Sequence, residues 1–351
     1  MFEQLKDIYN SLGDEESKMT FRCRLLYSLT HDWKYIKELL GFYKKENKEY
    51  LDILDVFENP HKYRGRKIVL FGTGFFADIV MKWLDKCNLE VQFFCDNDSQ
   101  KWGEEFAGRR IISPEELFRE YRDALVFIAT ERYQEAVLMQ LTENAYPNEQ
   151  IIRLMDLPNL EEVYFPKGIF YPEEQEIYID GGCYDGDSSL DFIEWAGKEN
   201  IKKIYAFEPD PDNYIECKKN LNEKCEVDCE VLQYGLWSEK GTVSFVTELG
   251  ASSHFDNNGE NKINVINIDE VVGDEKVTFI KMDIEGSELE ALKGAARTIQ
   301  KNKPRLAICL YHKDEDIVDI PQYVKELVPE YKLYIRHYSA SALETVLYAV
   351  I

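Results

Sequence analysis

The run Ile177-Tyr-Ile-Asp-Gly-Gly-Cys-Tyr-Asp-Gly-Asp-Ser-Ser189 is answered, 28 residues after Asp180, by Glu208 within Tyr205-Ala-Phe-Glu-Pro-Asp210. The first segment reads as an apolar strand, a glycine-bearing turn and the opening of a helix, and the second as another apolar strand ending in an acid. Strand, turn, helix and strand in that order make the repeating unit of an open α/β sheet, whose ligands sit at the carboxyl ends of the strands. A nucleoside finds there backbone that comes close at the glycines, helix N–H groups for its charged end, and a carboxylate for its ribose hydroxyls. The spacing Asp180-x-Gly182-x-x-x-Gly186 is not the dinucleotide fingerprint G-x-G-x-x-G, and Asp180 would repel a pyrophosphate while attracting an amino group. A buried turn with a polar tip is the plainer alternative. Acids on two successive strand-to-helix turns, the second fixed by Pro209, favour the ligand site.

Further apolar runs at 229–234, 277–282 and 305–310 are short, as buried parallel strands are. Two last runs, 331–337 and 345–350, follow one another without a crossover helix and imply an antiparallel edge. Asp283 and Glu285 follow the 277–282 strand. Ser287-Glu-Leu-Glu290 reads as a capping box, which makes Glu288 and Glu290 helix-start residues. A cap does not account for Asp283 at the strand tip. His312 follows the next strand, where a group with a pKa near neutrality can take a proton from a substrate. His254, in the polar stretch Gly250–Gly259, is a weaker candidate, and that stretch suits substrate recognition. Asp283, Glu285 and His312 are also of the type that binds a divalent cation, but nothing in the spacing requires one, and no metal is expected.

The N-terminal half has another organisation. Residues 1–62 show helical spacing of Leu25, Leu26, Leu29, Ile36, Leu39 and Leu40 among charges, which suits a structural cap or a dimer surface and leaves the oligomeric state open. Strands are expected at 67–71, 90–96 and 124–129, with Gly72-x-Gly74-x-x-Ala77 after the first and Asp96 at the end of the second. Ser113-Pro-Glu-Glu116 is a capped helix start. This small unit meets the context of a dinucleotide turn, yet no Tyr-x-x-x-Lys pair follows between 97 and 150, so inert scaffold or degenerate nucleotide site is the preferred reading. An NAD(P)-dependent oxidoreductase or epimerase working from Gly72-x-Gly74, and a non-catalytic nucleotide-binding scaffold, are the rival functions.

Composition narrows the partners. With 42 Lys and Arg against 66 Asp and Glu, the formal charge is −24, which argues against nucleic acid or an anionic membrane as a partner. No run approaches a membrane span, and no signal peptide is expected from the charged first residues. Eight cysteines without a C-x-x-C pair fit reduced thiols and a cytoplasmic protein.

From about Tyr171 to Ile351 the chain resembles the FkbM-type family of S-adenosylmethionine (SAM) methyltransferases. The likeness is carried by Ile179-Asp-Gly-Gly-Cys-Tyr-Asp-Gly186, Ala206-Phe-Glu-Pro209, Ile268-Asp-Glu270, Phe279-Ile-Lys-Met-Asp-Ile-Glu-Gly-Ser-Glu288 and Glu344-Thr-Val-Leu-Tyr348. One departure is Cys183-Tyr184, where many members have Ala-Asn. The resemblance implies an α/β fold with a C-terminal seven-stranded Rossmann-like methyltransferase sheet over 156–351. Before it stand a helical segment, 1–62, and a smaller Rossmann-like α/β domain, 63–155, similar to those found beside sugar-modifying enzymes. It implies SAM as cofactor, bound by Asp180 (methionine amino group), Gly181, Gly182, Tyr184, Gly186, Glu208 (ribose), Pro209 and Asp283. Asp283 and His312 are then the catalytic pair, and the acceptor is a hydroxyl of a small molecule, sugar or glycan precursor.

Overall fold

The structure is a computed structural model that describes residues 2–46, 55–56, 58–130, 133–153, 163–246, 254–255, 261–339 and 341–351. Most of the polar stretch Gly250–Gly259, and the side chain of His254, lie outside the described residues. Contacts group the chain into two compact units, Met1–Leu39 with Asn159–Ile351, and Leu40–Pro158. The helical segment read from the sequence as one piece over 1–62 is thus divided between the units. Its first helices, Phe2–Ser11 and Glu15–Thr30, belong with the C-terminal sheet. Ile8, Leu12 and Phe21 are buried in that sheet's core. The backbone N–H of Ile335 donates to Ser17 Oγ at 3.0 Å, and Arg336 pairs with Asp14 at 2.6 Å.

In the unit Leu40–Pro158, the strands are β1 (Ile68–Phe71), β2 (Phe93–Cys95), β3 (Glu105–Phe106), β4 (Arg109–Ile112), β5 (Leu125–Ile128) and β6 (Ile151–Arg153), in the order β3-β4-β2-β1-β5-β6. The strands expected at 67–71, 90–96 and 124–129 are β1, β2 and β5. The remaining three are short, and β4 opens on Arg109-Arg110, so no apolar run announces them. Ser113 caps the helix Pro114–Glu120 as expected, its Oγ accepting from Glu116 N at 3.1 Å.

The larger unit holds β7 (Glu176–Gly181), β8 (Ile201–Phe207), β9 (Cys229–Leu232), β10 (Gly235–Leu236), β11 (Gly241–Val246), β12 (His254–Phe255), β13 (Asn261–Ile266), β14 (Phe279–Met282), β15 (Arg305–Cys309), β16 (Lys332–His337) and β17 (Thr345–Val350). Seven of them form one sheet, β16-β17-β15-β14-β7-β8-β9, in which only β17 runs antiparallel to its neighbours. A four-stranded side sheet, β10-β13-β11-β12, stands apart from it. Every residue of β7, β14 and β15 is buried, because helices cover both faces of a parallel sheet. Alternate residues feed two cores. Ile179, Ile280, Met282 and Ile308 face one side. Tyr178, Phe279 and Tyr348 face the other, where the rings of Tyr178 and Phe192 stack at 4.0 Å.

The chain runs outward from β7 through β8 to β9, then returns to lay β14 and β15 on the opposite side of β7. Strand order therefore reverses between β7 and β14. At such a switch point, helices depart to opposite faces and a crevice opens at the carboxyl ends. Among the described residues, no helix is long and apolar enough to cross a membrane.

Candidate active site

The crevice is a cavity of about 1080 Å³, just above the roughly 300–1,000 Å³ of most small-molecule pockets. Of the residues singled out in the sequence, Gly182, Tyr184, Glu208, Pro209, Asp283 and Glu285 line it. Asp180, Gly181, Gly186 and His312 are not among the lining residues.

Gly182 is required by close packing. Its φ is +71°, and a Cβ there would stand 1.9 Å from the Asp283 carbonyl oxygen. Glycine thus lets the β7 and β14 tips close on each other. Tyr184 also has positive φ, at +50°, and is largely exposed, so its ring faces the cavity mouth. Glu208 is buried at the end of β8, where Oε2 accepts from Tyr184 N at 3.1 Å and Oε1 from Asp210 N at 2.9 Å. Burial pushes its carboxyl above the usual carboxylate range, and the two backbone donors oppose that only in part. Each oxygen keeps a lone pair for a ligand.

Asp180 is placed differently from the expectation of a ligand contact. It has no exposed surface and is committed to the protein: Ser188 Oγ and Ser189 Oγ each donate at 2.7 Å, and Lys281 Nζ lies at 3.1 Å. Lys281 also donates to the carbonyls of Gly181 and Gly182, at 3.1 and 2.7 Å. A buried acid therefore shapes the turn through a buried lysine.

Asp283 and His312, which end the neighbouring strands β14 and β15, come together with Nε2 3.4 Å from Oδ1. Two tyrosines that the sequence did not reveal also hold Asp283. Tyr164 donates to Oδ2 at 2.8 Å and Tyr311 to Oδ1 at 3.0 Å. Burial would raise the Asp283 carboxyl, but His312, Lys281 and the two hydroxyls together hold it below its ordinary value. His312 is ringed by acids, with Glu288 Oε1 2.9 Å from Nδ1 and Glu285 Oε2 3.5 Å from Nε2. Burial would lower the imidazole, but Glu288, Asp283 and Glu285 raise it to about 10. It is then charged at neutral pH and has no lone pair for an incoming proton.

The capping box expected at Ser287–Glu290 is not formed. Ser287 Oγ donates backward to Ile284 O at 3.0 Å, and Glu288 Oε1 accepts from Ile284 N at 2.9 Å. Glu288 is fully buried beside His312, whereas an ordinary first-turn acid is solvated. In the smaller unit, Asp96 is bonded by Thr73 Oγ1 and by Lys101 Nζ at 3.3 Å. The acid at the end of β2 is thus held by the turn itself.

Residues 180–331 match the methyltransferase FkbM domain, and residues 64–152 match a C2185-like N-terminal domain. A hexuronic acid methyltransferase, AglP, of Haloferax volcanii is 31% identical over 189 residues, covering 51% of this chain and 73% of that protein. The chain belongs to the FkbM methyltransferase family. This methyltransferase shares its fold with the solved methyltransferase FkbM of Methylobacillus flagellatus KT. The TM-score is 0.52 at 21% identity, with 91% of this chain and 100% of that one covered. The FkbM match begins at Asp180 and spans Glu208, Asp283, Glu288 and His312, whereas Tyr164, which holds Asp283, lies before it.

Proposed function

We propose that this methyltransferase takes its methyl group from SAM and places it on a hydroxyl of a sugar or glycan precursor, in the cytoplasm. The observation that carries the cofactor assignment is Glu208, a buried carboxylate with lone pairs to spare, facing the same cavity as Gly182 and Tyr184. Glu208 takes the ribose diol in two charge-assisted hydrogen bonds. Pro209 and Tyr184 flank the nucleoside, and Asp180 acts through Lys281 on the Gly181–Gly182 turn. When bound, SAM supplies a methyl carbon on sulfonium. The acceptor oxygen forms the C–O bond as the C–S bond breaks onto sulfur, leaving S-adenosylhomocysteine and one proton. Asp283 receives that proton from its place at the β14 tip, and the enzyme contributes mainly by aligning acceptor oxygen, methyl carbon and sulfur. His312 holds Asp283 in position. The name of the H. volcanii relative supports a sugar acceptor, and the eight free thiols support a reducing compartment.

Calorimetric titration of the full chain with SAM and S-adenosylhomocysteine tests the reading. Labelled methyl transfer to uronic-acid-bearing glycans then tests the acceptor. Folded protein that binds neither nucleoside would overturn the cofactor assignment.

A further inference from the structure

Glu288 and His312 are not explained by methyl transfer alone. A carboxylate with no exposed surface and an imidazole with 10% exposure stand side by side at the edge of the crevice. Among the described residues, Glu288 Oε2 and His312 Nδ1 are buried atoms without a hydrogen-bond partner. The 2.9 Å approach of Nδ1 to Glu288 Oε1 is out of line for such a bond. Leaving buried polar atoms unpaired costs free energy, and native folds seldom do so without a reason. One donor atom from each of Asp283, Glu288 and His312 lies within 4.8 Å of the other two.

Charge points the same way. Asp283, Glu285, Glu288 and Asp316 face this corner from the end of β14 and the helices after β14 and β15. Among the described residues, Lys281 and Lys313 are the lysines set against them. Hydrogen bonds from Tyr164 and Tyr311 already orient the Asp283 carboxylate, as outer partners orient metal-ligating groups.

We propose that Asp283, Glu288 and His312 form a site for one divalent cation of the magnesium and manganese class. Two carboxylate oxygens and one imidazole nitrogen suit such an ion, whose remaining positions are filled by water or substrate oxygen. The 2.9 Å between His312 Nδ1 and Glu288 Oε1 matches the roughly 3.0 Å edge of an octahedron with bonds of about 2.1 Å. Glu285, half exposed, lies 3.5 Å from the imidazole. On binding, the cation takes the place of the imidazolium proton as the positive charge. Its role rests on the methyl-transfer reading: the ion sits where the acceptor hydroxyl meets Asp283, and it lowers that hydroxyl's pKa and fixes its position. No metal was expected from the sequence, which made Glu288 a helix cap.

The test is binding of Mn²⁺ to the full chain, followed by electron paramagnetic resonance without SAM or acceptor, with competition by Mg²⁺. One Mn²⁺ per chain is expected. Glu288→Gln and His312→Gln, each checked for native circular dichroism, should weaken it by about tenfold or more. Wild-type protein that binds no Mn²⁺, or variants that bind it as wild type does, would overturn the site. SAM affinity is measured separately in the presence of a chelator. Protein that binds SAM but no Mn²⁺ loses the cation and keeps the methyl-transfer reading, and the reverse result keeps the cation alone.

Discussion

Lys281 and Asp180 face each other in register across the parallel strands β14 and β7, with Nζ 3.1 Å from Oδ1 and both side chains shut away from solvent. The ammonium is held by this carboxylate, by two backbone carbonyls of the glycine turn, and by the Tyr164 ring with its centroid 4.9 Å away. Burial would strip its proton, but Asp180 and Asp283 keep its pKa above the ordinary lysine value. Two charges have thus been carried into the core at the point where the cofactor turn must take one shape.

Removing one partner leaves the other buried and unpaired. Lys281→Met should cost about 3–5 kcal/mol in urea unfolding, the range for breaking a buried ion pair. The Gly181–Gly182 turn loses its donor as well, so SAM affinity should fall although Lys281 is not among the cavity-lining residues. A variant as stable as wild type, or one with unchanged SAM affinity, would mean that the pair does not shape the turn.

Glu208→Ala should weaken SAM by about 1.5–3 kcal/mol, the scale of hydrogen bonds to a charged group. The acid must be ionised to accept from both ribose hydroxyls, and burial raises its pKa. Affinity should therefore drop as pH falls toward the carboxylate range, and the drop should begin at a higher pH than an exposed glutamate would give. In Glu208→Ala that dependence should flatten. Calorimetry at several pH values reads both effects, and a wild-type curve as flat as the variant's would refute the role.

Asp283→Asn keeps the shape and removes the proton acceptor. Turnover should fall roughly 10²–10⁴-fold, as for loss of a general base. Tyr311→Phe removes only one hydrogen bond to the carboxylate and should cost much less, with SAM affinity unchanged. Single-turnover methyl transfer separates the two. Equal losses in both variants would show that carboxylate position, and not its basicity, sets the rate.

The parts legible in the sequence are local. Apolar runs gave β7, β8, β9, β14, β15, β16 and β17, since strands that pack into a sheet core are mostly apolar and few polar residues interrupt them. Gly182 and Glu208 showed because a turn and a strand tip carry their own residue signals. Asp283 and His312 could be paired in advance because adjacent parallel strands end at one edge. Tyr164 could not be found in this way. It lies 119 residues before Asp283 in sequence, outside every motif quoted for the site, and only the fold brings it there. Glu288 was hidden for another reason: Ser-x-x-Glu is a sound cap pattern, and only the burial of the helix start beside His312 gives its first acid a different task.

The acid side of the stability curve should show His337. This residue is buried, and Arg24 repels a second charge, so its pKa falls from 6.5 to about 3. In the fold it stays neutral to about pH 3, whereas in the unfolded chain it takes a proton near 6.5. The unfolded state binds more protons between those values, so stability falls as pH falls through that window and is unaffected above it. His337→Gln should lessen the slope of unfolding free energy against pH there. Arg24 has Nε and Nη1 buried without partners among the described residues. Arg24→Met should therefore raise stability at pH 7 by up to about 1–4 kcal/mol, as when buried charge is replaced by apolar packing. Denaturant titrations at pH 4, 5.5 and 7 test both, and parallel curves for wild type and His337→Gln would rule out His337 as the source.

The N-terminal helices set the last expectation. A sequence reading that treats residues 1–155 as separable predicts that the remainder folds and binds SAM. The packing predicts otherwise. The helix Glu15–Thr30 lies on β16, Leu12 bridges to Leu333, and Asp14 joins the two by capping that helix and pairing with Arg336 at 3.2 and 2.6 Å. A fragment starting at 159 would expose Leu333 and Ile335, both fully buried in the whole chain. It should aggregate or show non-cooperative unfolding. Asp14→Ala in the full chain loses a cap and a two-pronged ion pair together, which should cost about 2–4 kcal/mol. Circular dichroism melts of the fragment and the point variant decide the matter. A fragment that melts cooperatively, with an Asp14→Ala effect below about 0.5 kcal/mol, would return the N-terminal helices to the part of a dispensable cap.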